Sequence, residues 1–345
     1  MVDERPAGRS VRYPAEWEHQ QAVLLSWPHA DTDWHDILPD VDLCYLAMAT
    51  AIVASERLII VTPEPERVSR IIKDLPAERV ELLTVETNDT WIRDYGPITV
   101  FTQNDERLLL DFRFNAWGLK FAADKDNLVT SRIAEHLTPG RRENHLDMVL
   151  EGGALETDGR GTLLTTASCI YSINRNCAWD HERVVKELRD RLGVEHVAVL
   201  EHGFLEGDDT DGHIDTLARF TDSNTLVYCR ADDNDFDCQA QSLRIMEQEL
   251  RLLRDIDGKP YRMLSLPVPK SIYDPDDGHR LPATYANFLI LNNQVLLPIY
   301  GQEERDRIAA DILSLAFPNR RVTPIDCRTL IRQHGSLHCS TMQLY

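Results

Sequence analysis

Residues 214–230 read Ile214-Asp-Thr-Leu-Ala-Arg-Phe220, then Thr221-Asp-Ser-Asn224, then Thr225-Leu-Val-Tyr-Cys-Arg230. Two strand-like runs, Ile214–Phe220 and Thr225–Arg230, flank four polar residues, the pattern of a hairpin with a polar turn. An amphipathic helix over 235–255 follows, and then another apolar run, Arg262–Pro267. The order strand, strand, helix, strand returns at Thr284–Tyr300, with Asn292–Asn293 as the turn and a helix over 302–316 behind it. In that helix EERDRIAADILSLAF sets Ile308, Ile312, Leu313 and Leu315 on one face, with charges opposite.

Working outward, less distinct versions of this unit begin near positions 22, 95 and 150. Their helices read as 38–56, 125–137 and 181–192. Their strands read as Ala22–Ser26, Arg57–Thr62, Val80–Val85, Pro97–Phe101, Leu108–Phe114, Gly161–Thr166 and Val197–Leu200, with Ala286–Leu291 and Gln294–Pro298 in the last unit. The expectation is an α/β fold of about five units, each of roughly 55–75 residues, repeated radially. No low-complexity tract or Gly/Ser linker divides the chain, so residues 1–345 read as a single domain.

Composition narrows the function. Hydrophobic residues make up 43% and charged residues 27%, ordinary for a globular protein, and no apolar run is long enough to span a membrane. The polar N-terminal stretch lacks a signal-peptide core, so the cytoplasm is the expected location. The net charge of −20 disfavours nucleic acid and anionic membranes as partners. Seven scattered cysteines, odd in number and never spaced C-x-x-C, argue against a disulfide framework and a zinc ribbon.

Four segments are dense in chemistry. Trp91-Ile-Arg-Asp-Tyr-Gly-Pro97 places Trp91, Arg93 and Asp94 on a loop at a strand end, although Arg93 and Asp94 alone could be surface charges. Glu151 stands between an apolar strand and Gly152-Gly153, where the glycines allow close approach of backbone or ligand. His213 and Asp215 are two apart; on a strand they share a face, and the pair would suit proton transfer or a plain hydrogen bond. The acidic residues before them do not make a calcium loop, because Gly207 and Ala218 fall at the positions that need carboxylates. Cys339, in Gln333-His-Gly-Ser-Leu-His-Cys339, stands alone as either a reactive thiol or a packed one, while His334 and His338 read as packing or hydrogen-bonding residues. Together, a cysteine with a His-x-Asp satisfies the pattern of a nucleophile served by a proton-transfer group. Carboxylates at 94, 151 and 215 exceed what a protease needs. They suit a planar guanidinium with its five N–H donors.

These motifs, with Pro14-Ala-Glu-Trp17, Leu25-Ser-Trp-Pro28 and Tyr285-Ala-Asn-Phe288, resemble the agmatine deiminase / bacterial peptidylarginine deiminase family from about residue 12 to the end. The resemblance implies the pentein fold, a five-bladed α/β propeller of ββαβ-type units, with neither metal nor organic cofactor. It implies Cys339 as nucleophile, His213 as general acid/base, Asp94 and Asp215 as carboxylates on the guanidinium, Glu151 beside the histidine, and Trp91 lining the substrate. A homodimer, a cationic guanidino substrate and a place in putrescine and polyamine metabolism are further implications. The implied reaction takes agmatine and water to N-carbamoylputrescine and ammonia. Free or peptidyl arginine stays open as an alternative, as does a silent pentein that only binds. The chain departs from the family pattern at Gln333–Cys339, where GGGNIHC is usual, at Thr216, where Asn is usual, and at Tyr95.

Overall fold

The computed structural model describes residues 11–345. Five sheets repeat one connection, a first strand antiparallel to a second and the second parallel to a third. In chain order these are Ile98–Thr102, Arg107–Arg113 and Arg142–Val149; Glu156–Thr157, Thr162–Thr166 and His196–Leu200; Ala218–Asp222, Thr225–Arg230 and Arg262–Pro267; and Leu289–Ile290, Gln294–Ile299 and Arg321–Asp326. The fifth takes its first strand from the end of the chain: Thr341–Leu344 runs antiparallel to Ala22–Ser26, which is parallel to Arg57–Thr62. Parallel neighbours need a crossover, and each crossover here contains a helix. Within the five repeats these helices are Leu38–Val53, Val129–Leu137, His181–Leu192, Cys238–Leu252 and Glu303–Ala316; a further parallel pair, Arg57–Thr62 with Val80–Thr84, is crossed by Pro65–Ile71.

Local chemistry explains several of these boundaries. Asp180 accepts a hydrogen bond from the Arg183 N–H and starts His181–Leu192, which ends at Gly193 with a left-handed φ of 66°. A side chain at Gly193 would strike the carbonyl oxygen of Val11, so glycine is required twice over. Asp237 likewise accepts from the Ala240 N–H, so the helix expected over 235–255 starts only at Cys238.

Three expectations need correction. Leu315 is 58% exposed, because the buried face of its helix is Asp306, Ala309, Leu313 and Ala316. The strand expected from Ile214 begins at Ala218, and Ile214–Thr216 is a 3-10 turn. His213 and Asp215 therefore do not share a strand face. Asp94 lies in one helical turn, Ile92–Tyr95, rather than in a loop.

The core carries a buried ion cluster. Arg219 is fully buried, donates to Glu16 at 2.6 Å and to Glu156, and stacks over the Phe288 ring. Burial pushes Glu156 up to about 7 even beside Arg219. Arg219→Met would leave Glu156 without its cation and Glu16 with His338 alone, and a loss of about 3–5 kcal/mol is expected in urea denaturation at pH 8. A raised carboxyl pKa means that Glu156 takes up a proton as pH falls through about 7, so the deficit should shrink at pH 5.

Candidate active site

Each of the five repeats supplies a polar residue from the turn that leads into its first strand. Asp94 precedes Ile98–Thr102, Glu151 precedes Glu156–Thr157, and His213 and Asp215 precede Ala218–Asp222. Asn287 precedes Leu289–Ile290, and Cys339 precedes Thr341–Leu344. All six are buried. Asp94 and Cys339, with Trp91, Trp117 and Thr216, line one open cavity.

Cys339 lies at the cavity floor. Its sulfur accepts from the Asn287 amide at 3.3 Å and is 3.9 Å from Asp215 Oδ2. Burial pushes the thiol well above its ordinary value, and the carboxylates of Asp215 and Asp94 push it further. A thiolate here needs a cation beside it.

The three acids differ in their surroundings. Asp94 accepts from the Gly153 N–H at 2.9 Å and from the Trp117 indole at 2.9 Å. Burial raises it to about 6, with His213 opposing and Asp215 and Glu151 adding to the rise. Asp215 Oδ2 is 2.7 Å from His338 Nδ1, while its Oδ1 is buried with no partner. Burial opposes ionisation of Asp215, but the hydrogen bond and charge of His338 overcome it and hold the carboxyl below its ordinary value. Glu151 lies 3.0 Å from His213 Nε2 and pairs with Arg175 at 2.9 Å. There too burial is outweighed, first by the Arg175 charge, and Glu151 stays ionised.

His213 is held at one end and free at the other. Nε2 faces Glu151, whereas Nδ1 is buried without a hydrogen-bond partner and stands 3.6 Å from Asp94 Oδ1. Burial favours the neutral ring, but Asp94, Cys169 and Glu151 reverse that and lift the imidazole well above its usual value. An imidazolium there offers a proton from Nδ1. Cys169 joins Glu151 and His213 in a trio whose possible ligand atoms lie within 4.8 Å of one another. The Arg175 guanidinium beside Glu151 would repel a cation at that place.

Two glycines admit this crowding. A Cβ on Gly153 would lie 2.5 Å from His213 Nδ1 and 2.9 Å from Asp94 Oδ1. On Gly335 it would lie 2.3 Å from the Trp91 ring. Trp117 is presented by a left-handed turn, with φ of 52° at Ala116, 54° at Trp117, 83° at Gly118 and 69° at Leu119. Such backbone costs about 1–2 kcal/mol per non-glycine residue and persists where surroundings impose it. Here Asn115 caps the turn, accepting from the Gly118 N–H at 3.0 Å.

The structure thus brings together Asp94, Glu151, His213, Asp215 and Cys339, and sets Trp91 in the cavity wall. The sequence reading missed Glu16, Trp117, Arg175 and Asn287 in the site and gave His338 no particular partner. A polar Asn287 between Ala286 and Phe288, in an otherwise apolar run, was the available signal for one of them.

Comparison with known proteins follows from this geometry. The sequence model of the Porphyromonas-type peptidyl-arginine deiminase family matches residues 12–344. A structure from Porphyromonas gingivalis, provisionally named an arginine deiminase, is 48% identical with a TM-score of 0.90, over 96% of this chain and 98% of that one. The C. jejuni agmatine deiminase with substrate bound is 35% identical with a TM-score of 0.90, over 99% of this chain and 98% of that one. An amidinotransferase from Microseira wollei, at 12% identity and a TM-score of 0.51, shares the pentein fold alone.

The raised thiol has a direct consequence. A group held above its ordinary value stays protonated at neutral pH, so Cys339 in the empty site should react slowly with iodoacetamide at pH 7. Its rate should still be climbing above pH 9, with the exposed Cys177 and Cys238 labelled first. Peptide mass spectrometry over a pH series reads this; Cys339 labelled first at pH 7 would contradict it.

Proposed function

The chain belongs to the Porphyromonas-type peptidyl-arginine deiminase family, and from that premise we propose that it hydrolyses the guanidino group of agmatine, giving N-carbamoylputrescine and ammonia. The observation that carries the substrate is the acidic lining of the cavity. Asp33, Asp89 and Asp209 line it, His334 is its one basic residue, and no lysine or arginine lines it among the described residues. Such a lining suits the distal ammonium of agmatine and opposes the carboxylate of free arginine.

In this reading residues 1–345 act as a single catalytic domain. The guanidinium pairs with Asp94 and with the unpartnered Oδ1 of Asp215. Its charge cancels the field of the two carboxylates on the Cys339 thiol, so binding lets the thiol release its proton to solvent water and promotes the thiolate. The sulfur attacks the central guanidino carbon and forms a tetrahedral adduct. His213 then gives its Nδ1 proton to the departing nitrogen, ammonia leaves, and a covalent thiouronium remains. The neutral histidine takes a proton from water as hydroxide attacks the same carbon. Collapse of that adduct expels the thiolate, and the hydroxyl proton passes to solvent as the neutral ureido product forms. Glu151, paired with Arg175, keeps the imidazole oriented through both proton transfers. Trp91 and Trp117 shield the reacting plane from water.

Free arginine is the second reading, favoured by the P. gingivalis structure provisionally named an arginine deiminase. An ammonia-release assay with agmatine, arginine and a peptidyl arginine separates the readings. Agmatine is expected to have the highest kcat/KM, and Asp33→Asn with Asp209→Asn to raise its KM about 10-fold without improving arginine. Cys339→Ala should abolish turnover; agmatine hydrolysis surviving that change, or arginine preferred by wild type, would sink the proposal.

The pH profile offers an independent check. Because Asp94 is raised to about 6, it is protonated below that pH and ionised above. The guanidinium needs the carboxylate, so kcat/KM should fall as pH drops through about 6. A profile flat from pH 5 to 8 would contradict the role given to Asp94.

A further inference from the structure

His338 stands next to the nucleophile yet turns away from it. Nδ1 lies 2.7 Å from Asp215 Oδ2, and Nε2 lies 2.7 Å from Glu16 Oε2. Glu16 is gripped in turn by Arg219 at 2.6 Å, and Arg219 by Glu156 behind it. The backbone carbonyl of His338 accepts from Arg93 Nε at 3.3 Å, and its N–H donates to Asn287 Oδ1 at 2.9 Å. The ring is therefore held at both nitrogens and its backbone at both polar groups, within a chain of charges running Glu156, Arg219, Glu16, His338, Asp215.

Both ring nitrogens face carboxylate oxygens at hydrogen-bond distance, so each contact needs a proton in it. A neutral ring would leave one lone pair against a carboxylate, unless that carboxyl held the proton. The effect on Asp215 is specific: Oδ2 is occupied and Oδ1 is left as a buried, unpartnered acceptor.

We infer that His338 is a positioning residue: through Nδ1 it fixes Oδ2 of Asp215 so that Oδ1 meets the substrate, and through Nε2 it takes that position from Glu16. The inference rests on the guanidine-hydrolase reading for its kinetic effects. The groups facing the ring are Glu16 and Asp215 as partners and Arg219 and Arg93 as opposing charges, with Glu156 compensating Arg219. Burial, then the two arginines, hold the imidazole below its ordinary value, so the 2.7 Å contacts at both nitrogens, and not the ring's charge, carry the positioning. Neither nitrogen touches the reacting atoms, so His338 acts through Asp215.

The two isosteres of histidine separate this role from simple packing. The amide of His338→Asn reaches where Nδ1 lies and keeps the donor to Asp215; that of His338→Gln reaches where Nε2 lies and keeps only Glu16. Retention of agmatine kcat/KM within about 10-fold is expected for His338→Asn. For His338→Gln a loss of about 100-fold is expected, chiefly as raised KM, with the acid limb moving to higher pH as Asp215 loses its donor. Equal losses in the two variants, or a wild-type KM in His338→Gln, would overturn the inference. Crystal structures of both variants without substrate give a readout that needs no turnover. Asp215 should hold its position in His338→Asn and rotate in His338→Gln, and an unmoved Asp215 in His338→Gln also overturns it. Should wild type hydrolyse no guanidine, the proposed function falls, while the position of Asp215 still decides the role of His338.

Discussion

Asp94 and Asp215 are buried beside one thiol, with the His213 imidazolium 3.6 Å from Asp94 as partial compensation, and the rest of the site is arranged around that imbalance. Like charges in a low-dielectric interior repel each other, and burial adds a desolvation cost to each. Protein donors meet only part of this. Asp94 receives the Gly153 N–H and the Trp117 indole, Asp215 receives His338, and Asp215 Oδ1 receives nothing. A planar cation with several N–H donors would satisfy what remains. Burial first, and then the same two carboxylates, push the Cys339 thiol up and keep it protonated until such a cation arrives. A buried cysteine that is inert alone and activated by its own substrate is protected from stray electrophiles.

The repeated connection explains how residues so far apart in sequence meet. The turns before successive first strands lie against one another: Ile92–Tyr95 contacts Gly152–Ala154, which contacts Ile214–Thr216. The loop closes where Thr341–Leu344 pairs with Ala22–Ser26 and the Arg93 N–H donates to the Cys339 carbonyl. Each unit needs little more than one polar side chain in its turn, and the fold does the assembling. Glycine at 153 and 335 follows from the same closeness, since side chains there would occupy the space of His213 and Trp91.

Much of this was legible in the sequence because it depends on local pattern. Hairpins such as Thr225–Arg230 with its partner, and helices such as His181–Leu192, announce themselves by period and caps. The joining of first and last strands was not legible, since no local signal links residue 24 to residue 342. The turn at Ile214–Thr216 was misread for another reason. Its apolar residues continue the strand pattern, but His213 and Asp215 are drawn to different partners, Glu151 and His338. Arg175 and Glu16 were invisible as site components because each acts through a contact made across the fold. Pattern reports which residues alternate; it does not report which charges converge.

The contrast between the two clamp carboxylates carries the chemistry furthest. They are the same side chain, both buried, and both near Cys339, yet Asp94 is raised to about 6 while Asp215 is held low. The difference lies in their neighbours. Asp94 has neutral donors from Gly153 and Trp117 and shares His213, whereas Asp215 has His338 as a direct partner, with Arg219 beyond Glu16. Opposed shifts in one cluster divide the labour. On the proposed reading, Asp215 is the carboxylate held in its charged form, and it anchors one edge of the guanidinium. Asp94 can exchange a proton near neutrality and lies 3.6 Å from the free nitrogen of His213. A chain of buried charges reaching back to Glu156 adds little net stability, because ion pairs in a core about offset their desolvation. Its effect is to keep one of two equivalent acids charged, which a hydrophobic core of the same volume could not do.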